Sequence, residues 1–258
     1  MDAVLTAGGI PQPGELLYPY TQGKPKAMLD IGGKPMIQWV LDALGAAKRV
    51  ENVVLIGLAD EIGVTCNKPL VFIPNRISMI ENILGGIQKV MEINPLATQV
   101  LLVSSDIPAI TAEMVDWEVE TALKPVVDIC YTVAPRLVIE GRYPTSRRTF
   151  VRLKDVEVCG GDLNVVRTSV ASTNMDIWKK LIESRKNPLK QAAILGLDTL
   201  LLVLLRRITL DQAISKVTSR LHLTGRAILT PYAEMAMDVD KPHQLEMMRA
   251  DMASRVIH

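Results

Sequence analysis

Through the first two thirds of the chain, short runs dense in Val, Leu and Ile alternate with stretches of helical spacing. Residues 2–6, 52–57, 70–74 and 99–104 are such runs. Their lack of polar alternation predicts strands covered on both faces, as in a parallel sheet. Pro35 opens a predicted helix in which Met36, Ile37, Val40, Leu41 and Leu44 share a face. Ser78 and Glu81 have capping-box spacing ahead of Ile80, Ile83, Leu84 and Ile87, and Thr111 can cap a third helix. This βαβαβαβ order predicts the α/β class: a doubly wound, mostly parallel sheet with right-handed crossovers.

After Lys124 the pattern changes. Residues 126–133 and 149–153 predict strands joined by a loop rich in Pro and Arg, and residues 174–221 predict a late helical insertion. Thr209 and Gln212 form another capping box there. Residues 226–230 return to strand, and Asp240 with Pro242 starts a last helix that turns Leu245, Met248 and Met252 inward. With no internal repeat or low-complexity linker, a single domain over residues 1–258 is expected. The longest apolar stretch, Ala192 to Leu205, is interrupted by Asp198 and is shorter than the roughly 20 residues a membrane span needs. As a helix it would place Gln191, Asp198 and Arg206 on one narrow stripe. Leucines cover the rest, which predicts burial in the core or in a homodimer interface rather than a membrane contact.

Composition narrows the function. Apolar residues make up 48% of the chain and charged residues 22%, the balance of a folded soluble protein. A net charge of +1 lacks the basic footprint of a nucleic-acid-binding domain, and 4% aromatics are few for base-stacking platforms. Cys66, Cys130 and Cys159 stand far apart with no CxxC pair, so reduced, buried thiols in a cytoplasmic protein are expected. The opening MDAVLTAGG has no cationic leader or apolar h-region, so it does not read as a signal peptide.

The first strand runs into Ala7-Gly8-Gly9 and a long loop. In a parallel sheet, ligands sit beyond the carboxyl ends of strands. Glycines there let backbone N–H groups approach phosphate oxygens. The GxGxxG spacing is absent. Gly9 to Gly14 has P-loop spacing, but Glu15-Leu16 follows where Lys and Ser or Thr are required. On the diglycine alone, a tight turn and a phosphate loop read equally well.

Four further segments carry a resemblance: AVLTAGG at 3–9, KPKAMLDIGGKPMIQWVLDAL at 24–44, SSDIP at 104–108 and DVDKPHQL at 238–245. In this order they resemble the nucleotidyltransferases of the GT-A-like fold. These include the molybdopterin-cofactor guanylyl- and cytidylyltransferases and the sugar-1-phosphate nucleotidyltransferases. The resemblance covers the first 110 residues and the last 25. It implies that an acceptor oxygen attacks the α-phosphorus of a nucleoside triphosphate and pyrophosphate leaves, with catalysis by positioning and charge stabilisation.

The resemblance also implies roles. Ala7, Gly8 and Gly9 form the nucleotide-binding loop, and Lys26 is the catalytic lysine at the α-phosphate and leaving pyrophosphate. Asp106 and Asp240 are catalytic through a shared Mg²⁺, an ion that takes one or two carboxylates with phosphate and water. Taken alone, Asp106 reads equally as a turn residue before Pro108 and Asp240 as a helix N-cap. Asp238 is expected one position pair deeper. Asn82 falls in the base-recognition region, where a side-chain amide can read a nucleobase edge; an exposed helix residue is the other reading. Gly160-Gly161-Asp162 stands where a poorly characterised branch of the family has Gly-Gly-Asn, implying an acceptor-binding loop. Arg142, Arg147, Arg148 and Arg152 precede it, and either grip an anionic acceptor or belong to a solvated loop.

One departure matters. The family's glycine loop usually carries an arginine, and residues 10–23 contain neither arginine nor lysine. Either Lys24 or Arg76 reaches the triphosphate instead, or the protein binds a nucleotide or nucleotide-sugar without turning it over. Asp238-Val239-Asp240 is also a literal DxD, which leaves a glycosyltransferase reading open.

Overall fold

The computed structural model describes residues 1–173, 175–184, 190, 193–194 and 196–256. Strand β1 (Asp2–Thr6) turns Ala3 and Leu5 toward one layer of helix and Val4 toward another, and all three are fully buried. The two-residue side-chain period makes this two-sided burial possible, which is why the run carries no polar alternation. Strand β4 (Val53–Ile56) behaves the same way. Helix α2 (Met36–Ala46) presses Ile37, Val40, Leu41 and Leu44 onto one face of the sheet. Helix α3 (Met79–Ile93) presses Ile87 and Val90 onto the other. Ser78 caps α3 by accepting the Glu81 N–H, and Thr111 caps helix α4 (Ala112–Ala122) by accepting that of Met114, both as the spacing predicts.

With β5 (Leu70–Ile73) and β6 (Gln99–Ser104), these strands form the parallel run β5-β4-β1-β6. Beyond β6 the sheet becomes mixed. Strand β10 (Leu163–Arg167) inserts antiparallel between β6 and β7 (Ile129–Pro135). Strand β9 (Glu157–Gly160) joins the far part of β7, and the two-residue β8 (Val151–Arg152) lies at the edge. Strand β11 (Gly225–Leu229) pairs parallel with β7, completing a nine-stranded sheet among the described residues. The fold is therefore the α/β, mostly parallel sheet expected from the sequence, with an antiparallel insertion that the sequence reading lacks.

Three expectations are corrected. The segment after β7 opens with helix α5 (Arg136–Arg142) before it becomes loop, and the strand expected at 149–153 shrinks to two exposed residues. Helices do fill the 174–221 region, at Met175–Glu183, Leu197–Leu204 and Leu210–Arg220, and the last has the Thr209/Gln212 capping box. The leucine-rich helix is not buried in the core of the chain, however, so of its two expected readings only the interface one is left. Gly196, at a φ of 116°, stands at its N-terminus, and Leu197, Leu200, Leu201, Leu204 and Leu205 are all exposed. Asp198 is held there by Lys216 and Arg220. Asn174, Gln191 and Ala192 lie outside the described residues. Among the described residues no helix is long and apolar enough to cross a membrane. All three cysteines are free thiols, and burial raises the pKa of each.

Candidate active site

The carboxyl ends of β1, β4 and β6 converge on one edge of the sheet. Gly57, just past β4, has a φ of 105°, and a Cβ there would come within 2.4 Å of the Gly8 backbone. The diglycine is thus pressed close against the neighbouring strand end, an approach that needs glycine. Ala7 spends its N–H on the Ile56 carbonyl at 2.8 Å. Among the described residues no acceptor takes the N–H of Gly8 or Gly9. Gly9 O accepts the Lys26 N–H at 2.8 Å, which brings the second motif onto the loop.

Lys26 lies in a single 3-10 turn, Lys26–Met28. Its Nζ is 2.5 Å from Asp106 Oδ2 and 2.7 Å from Asp240 Oδ1. Burial works against the ammonium's charge, but the two carboxylates outweigh it and the lysine pKa is raised. Lys34, by contrast, is engaged by Asp42 and stands 3.5 Å over the Trp39 ring. Asp106 lies just beyond β6, and Ser104 Oγ donates to its other oxygen at 2.6 Å. Asp240 arrives from the far end of the chain because the Val239 N–H donates to the Asp106 carbonyl at 3.0 Å. Asp240 does not cap the last helix with its carboxylate as the sequence suggests. Instead its own N–H donates to Gln244 Oε1 at 2.9 Å, leaving the carboxylate for Lys26. The Asp106 side chain is 12% exposed and that of Asp240 57%.

Behind this triad lies a second charged group. Asp238 is deeper than Asp240, as alternation predicts, and pairs with Arg148. Burial and a hydrogen bond to Asp240 push Asp238 up to about 6 against the pull of Arg148. For Asp240 burial alone would raise the pKa, but the Asp238 hydrogen bond and the Lys26 ammonium hold it below the usual carboxylate range. Asp162, partly buried at the β9–β10 turn, is pushed well up by burial, then by Asp106 and Asp238. Its N–H goes to the Met235 carbonyl at 2.9 Å, and that of Gly161 to the Thr132 carbonyl at 2.8 Å. At Gly160 a Cβ would meet the Tyr131 hydroxyl at 2.4 Å. What Gly160-Gly161-Asp162 turns toward the aspartates is therefore a carboxylate, not a row of N–H donors.

A cavity of about 270 Å³ runs from Lys26 and Asp106, past Ala7, Gly8 and Gly9, to Asn75, Arg76 and Asn82. Asn82 lines it, with each end of its amide already engaged once. Its Oδ1 accepts the Arg76 N–H at 2.8 Å and its Nδ2 donates to Asn75 Oδ1 at 2.8 Å. Asn75 Nδ2 in turn donates to Gly8 O at 3.2 Å. Asn82 thus fastens the strand end to the glycine loop. Arg76 lines this cavity; Lys24 is exposed and lines neither this one nor its neighbour. That neighbour, of about 580 Å³, shares Gly9 and Lys26, adds Asp240, and is otherwise walled by residues of the 10–17 loop, including Glu15. Glu15 holds this loop by accepting the Gln12 N–H at 2.9 Å.

The arginine cluster is dispersed. Arg142 ties α5 to Glu234 and Asp251, and Arg152 faces Glu157 at 3.4 Å. Only Arg148 turns toward the aspartates. Arg142, Arg148 and Arg152 are thus each spent on carboxylates in different elements rather than gathered into one grip. Two site features were missed in the sequence: Arg148 as counter-charge to Asp238, and the tie from Asn75 to Gly8. Neither lies at a motif position.

No group of three or more His, Cys, Asp or Glu arranged to hold a metal ion occurs among the described residues. Two hard carboxylates facing one cation position do occur, and they suit an ion that takes its remaining ligands from phosphate and water.

Residues 20–140 match the model of the MobA-like NTP transferase domain. No curated protein matches the sequence. Among solved structures, a hypothetical transferase from Thermus thermophilus is similar at 29% identity and a TM-score of 0.80, over 95% of this chain and 98% of that one. A CMP:2-keto-3-deoxy-manno-octonic acid synthetase complexed with CTP shares the fold at 17% identity and a TM-score of 0.61, over 98% and 99%. A 4-diphosphocytidyl-2C-methyl-D-erythritol synthase does so at 14% and 0.59, over 97% of each. The motif resemblance, the matched domain and the shared fold agree: residues 20–140 carry the MobA-like NTP transferase match, on a fold the chain shares with the transferase, the synthetase and the synthase above.

Proposed function

We propose that the protein is a Mg²⁺-dependent nucleotidyltransferase that moves a nucleoside monophosphate from a nucleoside triphosphate to a small acceptor, a sugar phosphate or a cofactor precursor. The observation that carries this reading is Lys26 held between Asp106 and Asp240 at the mouth of a cavity floored by unpaired Gly8 and Gly9 N–H groups. The acceptor oxygen forms a bond to the α-phosphorus, the bridging bond to the β-phosphate breaks, and pyrophosphate departs. Asp106 and Asp240 would hold the ion, whose charge offsets that building on the phosphoryl oxygens. Lys26 adds a mobile positive charge beside the leaving group, and the Gly8 and Gly9 N–H groups donate to phosphate oxygens. Fixed donors of this kind are each worth about 3 kcal/mol of transition-state stabilisation.

Arg76 takes the place of the absent loop arginine, since it is the cation other than Lys26 on the nucleotide cavity. The acceptor enters from the side of Asp162, the residue that crowds Asp106 from the β9–β10 turn. The chain works as one domain, and the exposed leucines of residues 197–205 pair two copies into a homodimer.

Incubation with each of the four NTPs, Mg²⁺ and a panel of sugar phosphates and hydroxylated cofactor precursors, following pyrophosphate, tests the reading. Pyrophosphate release that needs both acceptor and Mg²⁺ supports it. Mg²⁺-dependent NTP binding with no pyrophosphate from any pairing would replace it with non-catalytic nucleotide binding. Consumption of a nucleotide-sugar with release of NDP would replace it with glycosyl transfer.

A further inference from the structure

Lys26 does more than neighbour the two carboxylates. Its Nζ lies within hydrogen-bond distance of one oxygen of each, 2.5 Å and 2.7 Å away, so a single cation already bridges Asp106 and Asp240. The second oxygen of Asp106 already accepts from Ser104 Oγ at 2.6 Å, which makes Oδ2 the less encumbered oxygen, and the lysine occupies it. Asp238 offers no relief, because it is paired with Arg148. Resting on the nucleotidyl-transfer reading, we propose that the Lys26 ammonium and the divalent ion compete for this pair of oxygens, so that the lysine moves from the aspartates to the phosphates as the ion enters.

Two charges drive the exchange. An ammonium and a divalent ion cannot share one oxygen pair without strong repulsion, and Arg148, the other cation that acts on Asp240, is held by Asp238. Once displaced, Lys26 is a desolvated positive charge at the cavity, and a triphosphate is the partner that satisfies it. Metal and nucleotide therefore favour each other's binding although they touch different atoms, which is reciprocal coupling between two ligands. The free protein holds metal weakly, and the catalytic lysine is unmasked only when both ligands are present. Arg148 stays where it is, because its carboxylate lies deeper and is not part of the exchange.

Mn²⁺ binding to the full chain without nucleotide, measured by calorimetry and by electron paramagnetic resonance, tests this. Lys26→Gln removes the competing charge and is expected to tighten Mn²⁺ binding by about tenfold, within the usual range of coupling between sites. Lys26→Arg keeps the charge and is expected to bind Mn²⁺ as weakly as the wild type. Circular dichroism checks that each variant folds. Unchanged or weaker binding in Lys26→Gln overturns the proposal, and so does equal tightening in Lys26→Arg, since charge would then not be the cause. Asp106→Asn and Asp240→Asn, made in the Lys26→Gln background, separate this from the reading beneath it. If Mn²⁺ still binds with its affinity intact, or if no variant binds it at all, the metal assignment itself fails and the competition falls with it.

Discussion

The Val239 N–H donates to the Asp106 carbonyl at 3.0 Å, and this main-chain bond sets the two site carboxylates side by side. The carboxylate of Asp106 extends from one of the two bonded segments and that of Asp240 from the other, and Lys26 closes the gap between them. The arrangement is built into the backbone, so it survives changes of side chain. Asp106→Asn and Asp240→Asn should therefore fold normally while losing at least about 100-fold in turnover. Pyrophosphate release and circular dichroism, compared side by side, check both halves of the statement.

Arg76→Ala should raise the KM for the nucleoside triphosphate by roughly 10- to 100-fold, because a charge-assisted contact to phosphate is lost. Lys24→Ala should leave it near the wild-type value, since Lys24 is exposed and lines neither cavity. Steady-state kinetics with the triphosphate varied distinguish the two. An equal effect from both variants would remove Arg76 from its assigned role.

Asn82→Leu should lower Tm and weaken binding of all four NTPs alike. Both ends of its amide are spent on Arg76 and Asn75, so the variant unfastens the cavity wall without removing a base contact. The loss of buried, paired hydrogen bonds is worth about 1–3 kcal/mol. A change confined to one nucleobase in a calorimetric comparison would restore a recognition role.

Gly57→Ala should destabilise the fold by roughly 2 kcal/mol or more and depress nucleotide affinity with it. It forces a side chain into a left-handed conformation and into the Gly8 backbone. Chemical denaturation together with nucleotide titration measures both effects.

Glu118 gives a pH dependence. It is fully buried on α4, Thr132 Oγ1 donates to one of its oxygens at 2.7 Å, and the other has no partner. Burial pushes its pKa up to about 7 against the pull of the Thr132 hydroxyl and Arg226. A carboxyl whose folded pKa lies above its unfolded value favours the protonated state. Its contribution to stability is therefore present below the ordinary value of 4.5 and lost as pH rises through about 7. Glu118→Gln should remove that loss, worth on the order of 2–3 kcal/mol at pH 8. Melting curves from pH 5 to pH 8 should fall with pH for the wild type and stay flatter for the variant.

The parallel half of the fold was legible because each strand is covered on both faces. Runs such as Val53 to Ile56 hold no polar residue to blur their ends, and Ser78 and Thr111 mark the helix starts chemically. The antiparallel insertion was not. β9 and β10 are four and five residues long and meet at a glycine turn, so their period cannot be told from that of a loop. α5 begins directly after Pro135 in a segment rich in arginine, and those arginines find partners at Glu157, Glu234 and Asp251, beyond any local window. At the site, spacing alone could not join residue 106 to residue 240, and only resemblance supplied that pairing. The partners of Asn82 and Arg142 were not legible from sequence, because they are fixed by tertiary structure.

Strand β10 has a consequence for how the molecule can be divided. It lies against β6 on one side and β7 on the other. A fragment ending at residue 140 would retain the matched stretch and still present β6 with a bare row of main-chain donors and acceptors, an invitation to self-association. The nascent polypeptide faces the same exposure until residues 163–167 leave the ribosome, so the parallel half matures only when a later segment seals its seam.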